Sequence, residues 1–390
     1  YDWWHGTTKR GYAHQPDLSV AFLQRAVELA APEGTIGFLV PSKLATADYA
    51  VRARNALVRE TTLEYLHRVP ARQTVAFGAT TYPMAIVVRK SKPVPSNHVR
   101  IGFRERVAVS QSLLSRRGPW ILVERNAHEA VDHLLSAGEP LGSRSPAKLG
   151  VKTGCNYVFV GEAVAGRESL VKFGDELIEV PQEFIRPAIR GRDVRQFSAH
   201  PKRLLVWCYD SSLAPLRMLP AQLNRYFMRK TAVLSRRADY RGGELWTLVR
   251  VESLTRRFLV VWADIAKRPR AVVIDGRGRG SVPLNSCYVA GFDDGDLAHA
   301  VCTVVNSVWS EALVRMFGDE ARGGYRRMNA RVAARVPIPT RSDAIRRLGE
   351  LGMRCHSHEI PGHEIDAAVA TALRLPRRVR DRLRSIAADQ

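Results

Sequence analysis

The chain has 390 residues, of which 45% are hydrophobic, so it is long enough for two or three domains and ordinary in its content of core-forming residues. Lysine and arginine together number 60 and aspartate and glutamate 38, which gives a formal charge of +22. This surplus predicts a polyanionic partner, nucleic acid in preference to an acidic membrane surface, although an arginine-rich proteome would produce the same excess.

The five cysteines are widely spaced and form no CxxC pair, which argues against a disulfide framework or a zinc ribbon and favours a reducing cytoplasm. No apolar run of about 18 residues is present, so the sequence predicts no membrane span. The first residues do not resemble a signal peptide, and the missing initiator methionine leads us to expect a segment of a longer protein.

The first forty residues predict one helix and one strand. Asp17 is suited to cap a helix in which apolar residues recur at helical spacing as far as Ala30, and Pro32 and Gly34 end it. Residues 35–40 are a continuous apolar run, which is typical of a strand buried on both faces of a parallel sheet.

The next fifty residues continue the alternation. A second helix is predicted over 48–60, and strands are predicted over 62–66 and 82–89. These two strands are too close in sequence for a typical crossover helix, so an antiparallel final pair is expected. This order of helices and strands predicts a doubly wound α/β sheet, of which the sequence contains the part from the middle onward.

The composition changes after this sheet. Residues 90–97 are rich in proline, serine and lysine and predict a domain boundary. Beyond it, strands are predicted over 202–207, 257–262, 270–275 and 285–290. One long helix is predicted over 296–317, and a helical tail over 364–388 is expected to break at Pro376.

Several segments resemble the N6-adenine amino-methyltransferases of the TaqI-like class. Residues 17–26 are similar to a D-L-x-x-x-F-L-x-x-A helix of that family, and residues 32–43 to the G-x-x-x-F-(I/V)-V-P strand that follows it. Further similarities to the family's recognition and closing motifs lie at 151–156 (TG-x-N), 185–194 (P-x-(I/L)-(R/K)-G-R-D), 306–307, 324–325, 336–339 and 365–369. Each piece is weak alone, and their order along nearly the whole chain carries the resemblance.

The resemblance implies a fold class and a function. Residues 1–95 would be the rear half of a class I, Rossmann-like methyltransferase sheet, and residues 106–390 an α+β target recognition domain with C-terminal helices. The parent enzyme would transfer a methyl group from S-adenosylmethionine to adenine N6 in double-stranded DNA, within a restriction-modification or phage-defence system. This chain would supply target recognition.

Two other interpretations stay open. One is a catalytically inactive DNA-binding specificity polypeptide, which needs a partner with the missing N-terminal methyltransferase half; a fused nuclease is a further possible partner of the chain. The other, weaker interpretation is an RNA-binding or RNA-modifying protein of the same charge. Sequence-selective binding to duplex DNA would favour the methyltransferase or the specificity polypeptide over the RNA-binding protein.

The resemblance also implies which catalytic parts lie elsewhere. The family's glycine-rich cofactor loop, its ribose-binding acidic residue and most of its catalytic Asn-Pro-Pro-Tyr motif are expected upstream of this chain. Tyr1 is interpreted either as the aromatic residue of that motif or as a residue just beyond it. In the first case its ring would stack on an adenine turned out of the duplex, where a methyl group can reach the amino nitrogen. The chain alone is therefore expected not to transfer methyl groups.

Basic, amide and small residues at turns are candidates for contacts with DNA, because such groups suit phosphate oxygens. The candidates are Lys43, Lys152, Thr153, Gly154, Asn156, Arg190, Arg192, Asp193, Arg236, Arg237, Tyr325 and Arg326. Each has a structural alternative. Lys43 could be a solvated lysine beyond a strand end, residues 152–156 a plain tight turn, Asp193 a brace that pairs with an arginine, and the arginine clusters a solvated face.

Two further clusters are interpreted as structural. Residues 277–280 (RGRG) predict a flexible loop tip rather than a phosphate site. The carboxyl end contains His356, His358, Glu359 and His363. Their spacing differs from HExxH, and Pro361 with Gly362 would break a helix there, so the sequence predicts a loop before a helix and no metal site.

Overall fold

A computed structural model describes residues 3, 17–69, 82–102, 107–114, 118–122, 125–278 and 280–388. The residue contacts divide the chain into two compact units. Unit 1 comprises Tyr1–His133, Val314–Arg327 and Arg377–Gln390, and unit 2 comprises Leu134–Leu313 and Met328–Pro376. Tyr1 itself lies outside the described residues, so its catalytic role stays a prediction.

The described residues form a mixed α/β protein with several sheets. The helices are α1 (Leu18–Leu29), α2 (Val51–Glu60), α3 (Gln111–Leu114), α4 (Arg125–Ser136), α5 (Leu141–Arg144), α6 (Asn156–Phe159), α7 (Ala221–Arg229), α8 (Thr231–Leu234), α9 (Gly295–Val305), α10 (Val308–Phe317), α11 (Ala330–Ala333), α12 (Ser342–Ser357), α13 (Gly362–Ala372) and α14 (Arg377–Ala388). The strands are β1 (Thr35–Pro41), β2 (Thr62–Arg68), β3 (Pro83–Arg89), β4 (His98–Ile101), β5 (Val107–Ser110), β6 (Glu139–Pro140), β7 (Lys148–Leu149), β8 (Val160–Val164), β9 (Arg167–Phe173), β10 (Glu176–Glu179), β11 (Ile185–Ile189), β12 (Val194–Arg195), β13 (Ser198–Ala199), β14 (Arg203–Val206), β15 (Phe258–Ala263), β16 (Ile265–Ala266), β17 (Ala271–Asp275), β18 (Val282–Pro283), β19 (Cys287–Phe292), β20 (Glu320–Ala321), β21 (Tyr325–Arg327) and β22 (Pro337–Ile338).

Helix α1 is fixed at both ends. Its start confirms the prediction, because the Asp17 carboxylate accepts a hydrogen bond of 2.9 Å from the backbone N–H of Ser19. At its end, the Lys90 ammonium donates to the carbonyl oxygens of Glu28 and Ala30 at 2.8 and 2.7 Å. Lys90 directly follows β3, so this bond ties the helix to the sheet.

The described strands of unit 1 form a five-stranded sheet of order β1-β3-β2-β4-β5. Strand β3 lies between β1 and β2 and is antiparallel to both, which confirms the predicted antiparallel end. The prediction that β1 is buried on both faces is wrong. Its residues alternate between buried and exposed, as Val40 and Leu39 illustrate, because only one of its faces meets the core of unit 1 in the described residues.

The predicted domain boundary at 90–97 falls inside this sheet. Strand β4 follows the loop and pairs parallel to β2, and β5 then pairs with β4. The buried Gln111 side chain reinforces the link, since its amide donates to the carbonyls of Val58 and Thr61 at 2.8 Å and accepts from the Leu63 N–H at 2.9 Å. Unit 1 therefore continues past 95, to His133. The predicted functional division at 95 and 106 stays a prediction.

The described part of unit 2 contains two larger sheets. Their strand orders are β10-β9-β8-β14-β11-β18 and β17-β15-β19-β7. The strands predicted over 202–207, 257–262 and 270–275 are confirmed to within one or two residues, while β19 begins two residues later than predicted. The core of this unit contains large aromatic side chains, among them Phe159, Trp207, Tyr226, Phe227 and Trp246.

The single helix predicted over 296–317 is wrong: the structure has α9 and α10, which meet at 64°. The break lies at Asn306 and Ser307. The Asn306 amide pairs with the Ala271 backbone, donating to its carbonyl and accepting from its N–H at 2.9 Å each. The Ser307 hydroxyl donates to the Val304 carbonyl at 2.7 Å. Such side chains compete with the helix for backbone partners, which ends α9 here.

Two glycines let α12 approach α9 closely. A Cβ atom at Gly349 would lie 2.7 Å from the Asp296 carbonyl oxygen, and one at Gly352 would lie 2.7 Å from that of His299. The predicted helical tail is confirmed as α13 and α14, separated near Pro376. In the described residues, no individual helix has the length and apolar content to cross a membrane, and the bent pair α9 and α10 meets that criterion only when taken together.

Candidate nucleic-acid interface

The predicted turn over 152–156 is held by backbone pairing on both sides. The N–H of Val151 donates to the Pro283 carbonyl at 2.8 Å, and Lys152 exchanges two bonds of 2.9 Å with Val249. Gly154 adopts a φ of +68°, a left-handed conformation that favours glycine. The turn is therefore a fixed feature of unit 2.

Arg237 braces this turn from inside. Its guanidinium is buried and donates to the carbonyl oxygens of Thr153 (2.9 Å), Leu234 (3.0 Å), Leu245 (2.8 Å) and Thr247 (2.7 Å). Burial lowers the pKa of Arg237, although the ring of Phe159, 5.3 Å from its central carbon, offers a favourable cation–π contact. Because four of its five N–H groups serve backbone carbonyls, this arginine positions the turn and has little capacity left for DNA.

The same turn orients one exposed amide. The buried Thr153 hydroxyl donates to Asn156 Oδ1 at 2.6 Å and accepts from the Cys155 N–H at 3.2 Å. Asn156 is exposed, and its amide nitrogen donates to no group in the described part of the chain. Asn156 therefore presents a hydrogen-bond donor whose direction is set by its neighbours.

The R-G-R-D segment is a second braced turn. Arg190 makes two bonds with the buried Asp193 carboxylate, at 3.0 and 3.2 Å, and its backbone N–H donates to the same carboxylate at 2.9 Å. Burial alone would raise the pKa of Asp193, but these bonds outweigh it and lower the pKa below its ordinary value. The structural alternative for Asp193, a brace through an arginine, is the arrangement that the molecule adopts.

Gly191, between the two arginines, serves close packing. Its N–H donates to Ser286 Oγ at 3.0 Å, and a Cβ atom there would lie 2.8 Å from the Ser286 carbonyl oxygen. Gly191 therefore allows the Ser286 backbone of the same chain to pack closely against it. The next residue, Arg192, is exposed, and its guanidinium has no hydrogen bond or ion pair within the parts of the chain that the structure describes.

Sheet topology brings the two turns together. Strands β11 and β18 are parallel, so the segments that follow them leave the same edge of the sheet, and the N–H of Leu284 donates to the Ile189 carbonyl at 2.8 Å. An open pocket of about 440 Å³ results. It is lined by Asn156, Tyr157, Val160, Gly174, Arg190, Arg192, Arg203, Leu284, Asn285 and Ser286.

Most of the charges around this pocket are neutralised locally. Arg190 pairs with Asp193, and Arg203 pairs with Glu162 on the neighbouring strand. Lys152, on the adjacent turn, forms an ion pair with Asp239, whose pKa that bond lowers. Arg192 is therefore the lining cation with the most capacity for an anion from solution.

The remaining candidates do not line the pocket. Arg236 is exposed on unit 2, next to the buried Arg237. Lys43 is exposed just beyond β1 in unit 1, where the buried Arg54 holds the loop through the carbonyls of Leu44 and Ala47, at 2.8 Å each. Lys43 is therefore presented at the carboxyl end of a strand, as the sequence predicted.

Tyr325 and Arg326 lie in the hairpin of β20 and β21 in unit 1. Arg326 donates to Glu320 at 2.6 Å and to the Arg315 carbonyl at 3.2 Å, so it stabilises the hairpin. Tyr325 is 41% exposed beside Gly323 and Gly324, which both have positive φ. Of Tyr325 and Arg326, the tyrosine is therefore the residue that faces solvent.

Sequence reasoning missed Arg203, Tyr157, Asn285 and Ser286 as lining residues. Arg203 begins a strand that was predicted, but its position beside Arg190 depends on the pairing of β14 with β11, in which Arg203 lies opposite Ala188. The local sequence gives no sign of that pairing. Tyr157 follows the predicted TG-x-N segment directly, and its aromatic ring next to Asn156 was a usable signal.

Comparison with known proteins gives a distant relative. No protein-family model matches the chain. It is 21% identical over 365 residues to the type II methyltransferase M.XhoI of Xanthomonas vasicola, a match that covers 83% of this chain and 62% of that protein. The chain thus spans less than two thirds of this curated relative.

Solved structures give a clearer match of fold. The type IIL restriction-modification enzyme MmeI, solved in complex with DNA, aligns with a TM-score of 0.57 over 98% of this chain and 51% of that chain, at 11% identity. The two share a fold over that half. The type IIG restriction endonuclease BpuSI aligns with a TM-score of 0.41, too low to support a conclusion about the fold.

Proposed function

We propose that this chain is part of a site-specific DNA methyltransferase and supplies its target recognition. The whole enzyme would transfer a methyl group from S-adenosylmethionine to adenine N6 in duplex DNA, within a restriction-modification or phage-defence system. The observation that carries the proposal is the pocket of unit 2, where Arg192 and the Asn156 amide project from two internally braced turns. The similarity to M.XhoI and the fold shared with MmeI support it.

The two exposed groups have different tasks in this proposal. Arg192 binds a phosphate, since a guanidinium donates two parallel bonds to phosphate oxygens. Asn156 acts mainly as a donor, because the Thr153 hydroxyl already binds one lone pair of its oxygen and fixes the direction of the amide. Its N–H group donates to a phosphate or to an acceptor on a base edge.

The other candidate residues divide by their surroundings. Lys43, Arg236 and Tyr325 are exposed, and we assign them additional contacts with DNA. The remaining candidates act by positioning the exposed ones: Lys152, Thr153, Gly154, Arg190, Asp193, Arg237 and Arg326. Replacing a positioning residue should therefore affect stability as well as binding.

Methyl transfer itself is not assigned to these residues. The glycine-rich loop that would bind S-adenosylmethionine is not among the motifs of this sequence, and the described pocket contains no such loop. Cofactor binding is therefore assigned to a further polypeptide segment. What this chain does is bind the duplex, orient it and hold it against the catalytic half.

The proposal is tested by selection from a random pool. The chain is mixed with 30-base-pair duplexes of random sequence, retained duplexes are sequenced, and the dissociation constants of the enriched and a scrambled duplex are measured. We expect one enriched sequence. Arg192→Gln should weaken binding to both duplexes about 5- to 10-fold and reduce the slope of log K against log salt by about 0.9, the loss of one phosphate contact.

Arg225→Gln is the matched control, because Arg225 is an exposed arginine on α7 that does not line the pocket. It should leave both dissociation constants within about twofold. Failure to enrich any duplex would refute the recognition role. Preferential retention of single-stranded RNA, added as competitor, would favour an RNA-binding protein instead.

A second candidate, the specificity polypeptide that needs a partner, is favoured by an apolar face on unit 1. Leu18, Phe22 and Leu29 are 63, 64 and 69% exposed. They lie on one side of α1, because Phe22 follows Leu18 by four residues and Leu29 follows it by eleven. The opposite side of α1 already packs into the core through Leu23. Covering each exposed side chain would contribute about 1.5–3 kcal/mol.

The adjacent sheet edge points to the same occupant. In the described residues β1 pairs with β3 on one side and with no strand on the other. An unpaired strand beside an apolar helix face suits an α/β partner that adds a strand to β1 and a helix to α1. We therefore assign this face to an N-terminal methyltransferase half.

The polypeptide encoded directly upstream provides the test. Coexpressed with it, the chain should copurify and transfer labelled methyl groups from S-adenosylmethionine to DNA, whereas the chain alone should not. Leu18→Gln, Phe22→Gln and Leu29→Gln together should abolish copurification and leave DNA binding intact. Leu177→Gln with Met218→Gln, exposed apolar residues of unit 2, should change neither. An upstream region without a glycine-rich loop and Asn-Pro-Pro would eliminate this candidate.

A further inference from the structure

Helix α14 concentrates arginine more than other helices of the described chain. Its twelve residues include five arginines and one aspartate, a surplus of four positive charges, and no lysine. For comparison, the sixteen residues of α12 include three arginines and two acids, a surplus of one. The surplus on α14 is not used by the pocket, because α14 belongs to unit 1 and the pocket to unit 2.

The arginines of α14 are displayed on a fixed helix. Val379, Leu383, Ile386 and Ala387 are buried and share one side of it. On the opposite side, Arg377, Arg378 and Arg384 are exposed. Because the apolar side anchors the helix, the exposed guanidinium groups are held at helical spacing along one surface. Below, the arginine face means Arg377, Arg378 and Arg384.

Asp381, the acid within α14, neutralises little of the charge of Arg377. Asp381 lies 3.9 Å from a guanidinium nitrogen of Arg377 and 3.9 Å from one of Arg384, so it is shared between two arginines at long distance. The side chain of Arg377 is 90% exposed and that of Asp381 62%, and ion pairs so exposed to solvent contribute little. Arg377 and Arg378 in particular therefore keep positive charge that an external polyanion can use.

We propose that the arginine face of α14 is a second DNA contact, which binds the phosphate backbone without regard to sequence. The inference rests on the proposed function, because it takes duplex DNA as the ligand, and it adds a surface on unit 1 that acts independently of the pocket. Guanidinium groups spread along a helix surface reach phosphate oxygens with two bonds each, and contacts with phosphates carry no sequence information. The face thus contributes affinity and salt dependence, and the pocket contributes selectivity.

The test compares two triple variants of equal charge change. One carries Arg377→Gln, Arg378→Gln and Arg384→Gln; the control carries Arg346→Gln, Arg347→Gln and Arg354→Gln, which are exposed arginines of α12. Binding to the enriched and scrambled duplexes is measured from about 50 to 200 mM salt. We expect the α14 variant to reduce the slope of log K against log salt by about 2–3 and the α12 variant by less than about 1.

The selectivity ratio separates this face from the pocket. The α14 variant should weaken the enriched and scrambled duplexes by the same factor, about 10- to 100-fold, so that their ratio is unchanged. A third variant, with lysine at the same three positions, keeps the charge and should restore the slope. Circular dichroism before and after heating checks that each variant folds as the unchanged chain does.

Three outcomes would overturn the inference: equal slopes for the α14 and α12 variants, failure of the lysine variant to restore the slope, or a changed selectivity ratio with an unchanged slope. If the unchanged chain does not bind duplex DNA at all, the proposed function fails. If it does bind, and Arg192→Gln weakens it while the α14 variant does not, this inference alone fails.

Discussion

The two braced turns of unit 2 and helix α14 of unit 1 all depend on arginine, but they use it differently. At the turns, Arg237 donates to backbone carbonyls and Arg190 pairs with Asp193, and these contacts hold Asn156 and Arg192 in place. On α14, Arg377, Arg378 and Arg384 are exposed to solvent. An arginine near a glycine turn is therefore as good a sign of internal bracing as of phosphate binding, and burial decides between the two.

The largest effect of breaking this arrangement is expected at Arg237. Arg237→Ala removes the donor for four carbonyl oxygens in the interior of unit 2, so the free energy of unfolding should fall by about 3 kcal/mol. Denaturant unfolding followed by circular dichroism measures this loss. The neighbouring Arg236→Ala should change stability by less than about 0.5 kcal/mol, since Arg236 is exposed. If Arg237→Ala leaves the stability unchanged and abolishes DNA binding, Arg237 contacts DNA and does not brace the turn.

An intermediate effect is expected at Asp193. Asp193→Asn leaves Arg190 partly buried without its carboxylate, and the free energy of unfolding should fall by about 2 kcal/mol. Arg190→Gln added to it removes the unpaired charge and should recover part of that loss. A double variant that is less stable than Asp193→Asn alone would contradict this explanation.

The same pair predicts a pH dependence. Bonds from Arg190 lower the pKa of Asp193 in the folded chain, so the unfolded state takes up a proton first as the pH falls. The stabilisation from the carboxylate is complete above the unfolded value of about 3.8 and is lost as the pH falls through the lower folded value. The stability difference between the unchanged chain and Asp193→Asn should therefore be constant near neutral pH and shrink in acid. A difference that grows in acid would contradict the sign.

The smallest effect on stability, with a clear effect on binding, is expected at Asn156. Asn156→Ala removes an exposed donor and the acceptor of the Thr153 hydroxyl, so the free energy of unfolding should fall by about 1 kcal/mol, while binding to the enriched duplex should weaken about fivefold, or about 1 kcal/mol. Thr153→Val frees the Asn156 amide to rotate and should weaken binding in the same direction by less. If Thr153→Val destabilises the chain but leaves binding unchanged, the orientation of Asn156 is not used.

Local features were predictable because local residues determine them. Asp17 caps α1 through a residue two positions away, and the period of apolar residues located the strands β14, β15 and β17. The salt bridge within the R-G-R-D turn was foreseen as an alternative, since Arg190 and Asp193 are three residues apart. In these cases the partners are close enough in sequence for the pattern to show them.

Features that depend on distant pairing were not predictable. Arg237 lies 84 residues from Thr153, so its role as a brace could not be read from its neighbours. The pocket forms because β11 pairs with both β14 and β18, which brings Arg203 and Ser286 to the R-G-R-D turn. The exposure of one face of β1 likewise depends on the order of the strands in its sheet. The alternation of helices and strands along the sequence does not specify that order.

The bend at Asn306 has a consequence for the neighbouring sheet. Strand β17 is the last strand of its sheet on one side, and the Asn306 amide takes up both the N–H and the carbonyl of its first residue, Ala271, as a further strand would. The Phe197 N–H donates to the same Ala271 carbonyl at 2.9 Å, and both Asn306 and Ala271 are buried. The hydrogen-bond partners at this end of β17 are therefore supplied from within the chain, and Asn306→Asp, which lacks the N–H donor, would remove one of the two bonds that the side chain makes with Ala271.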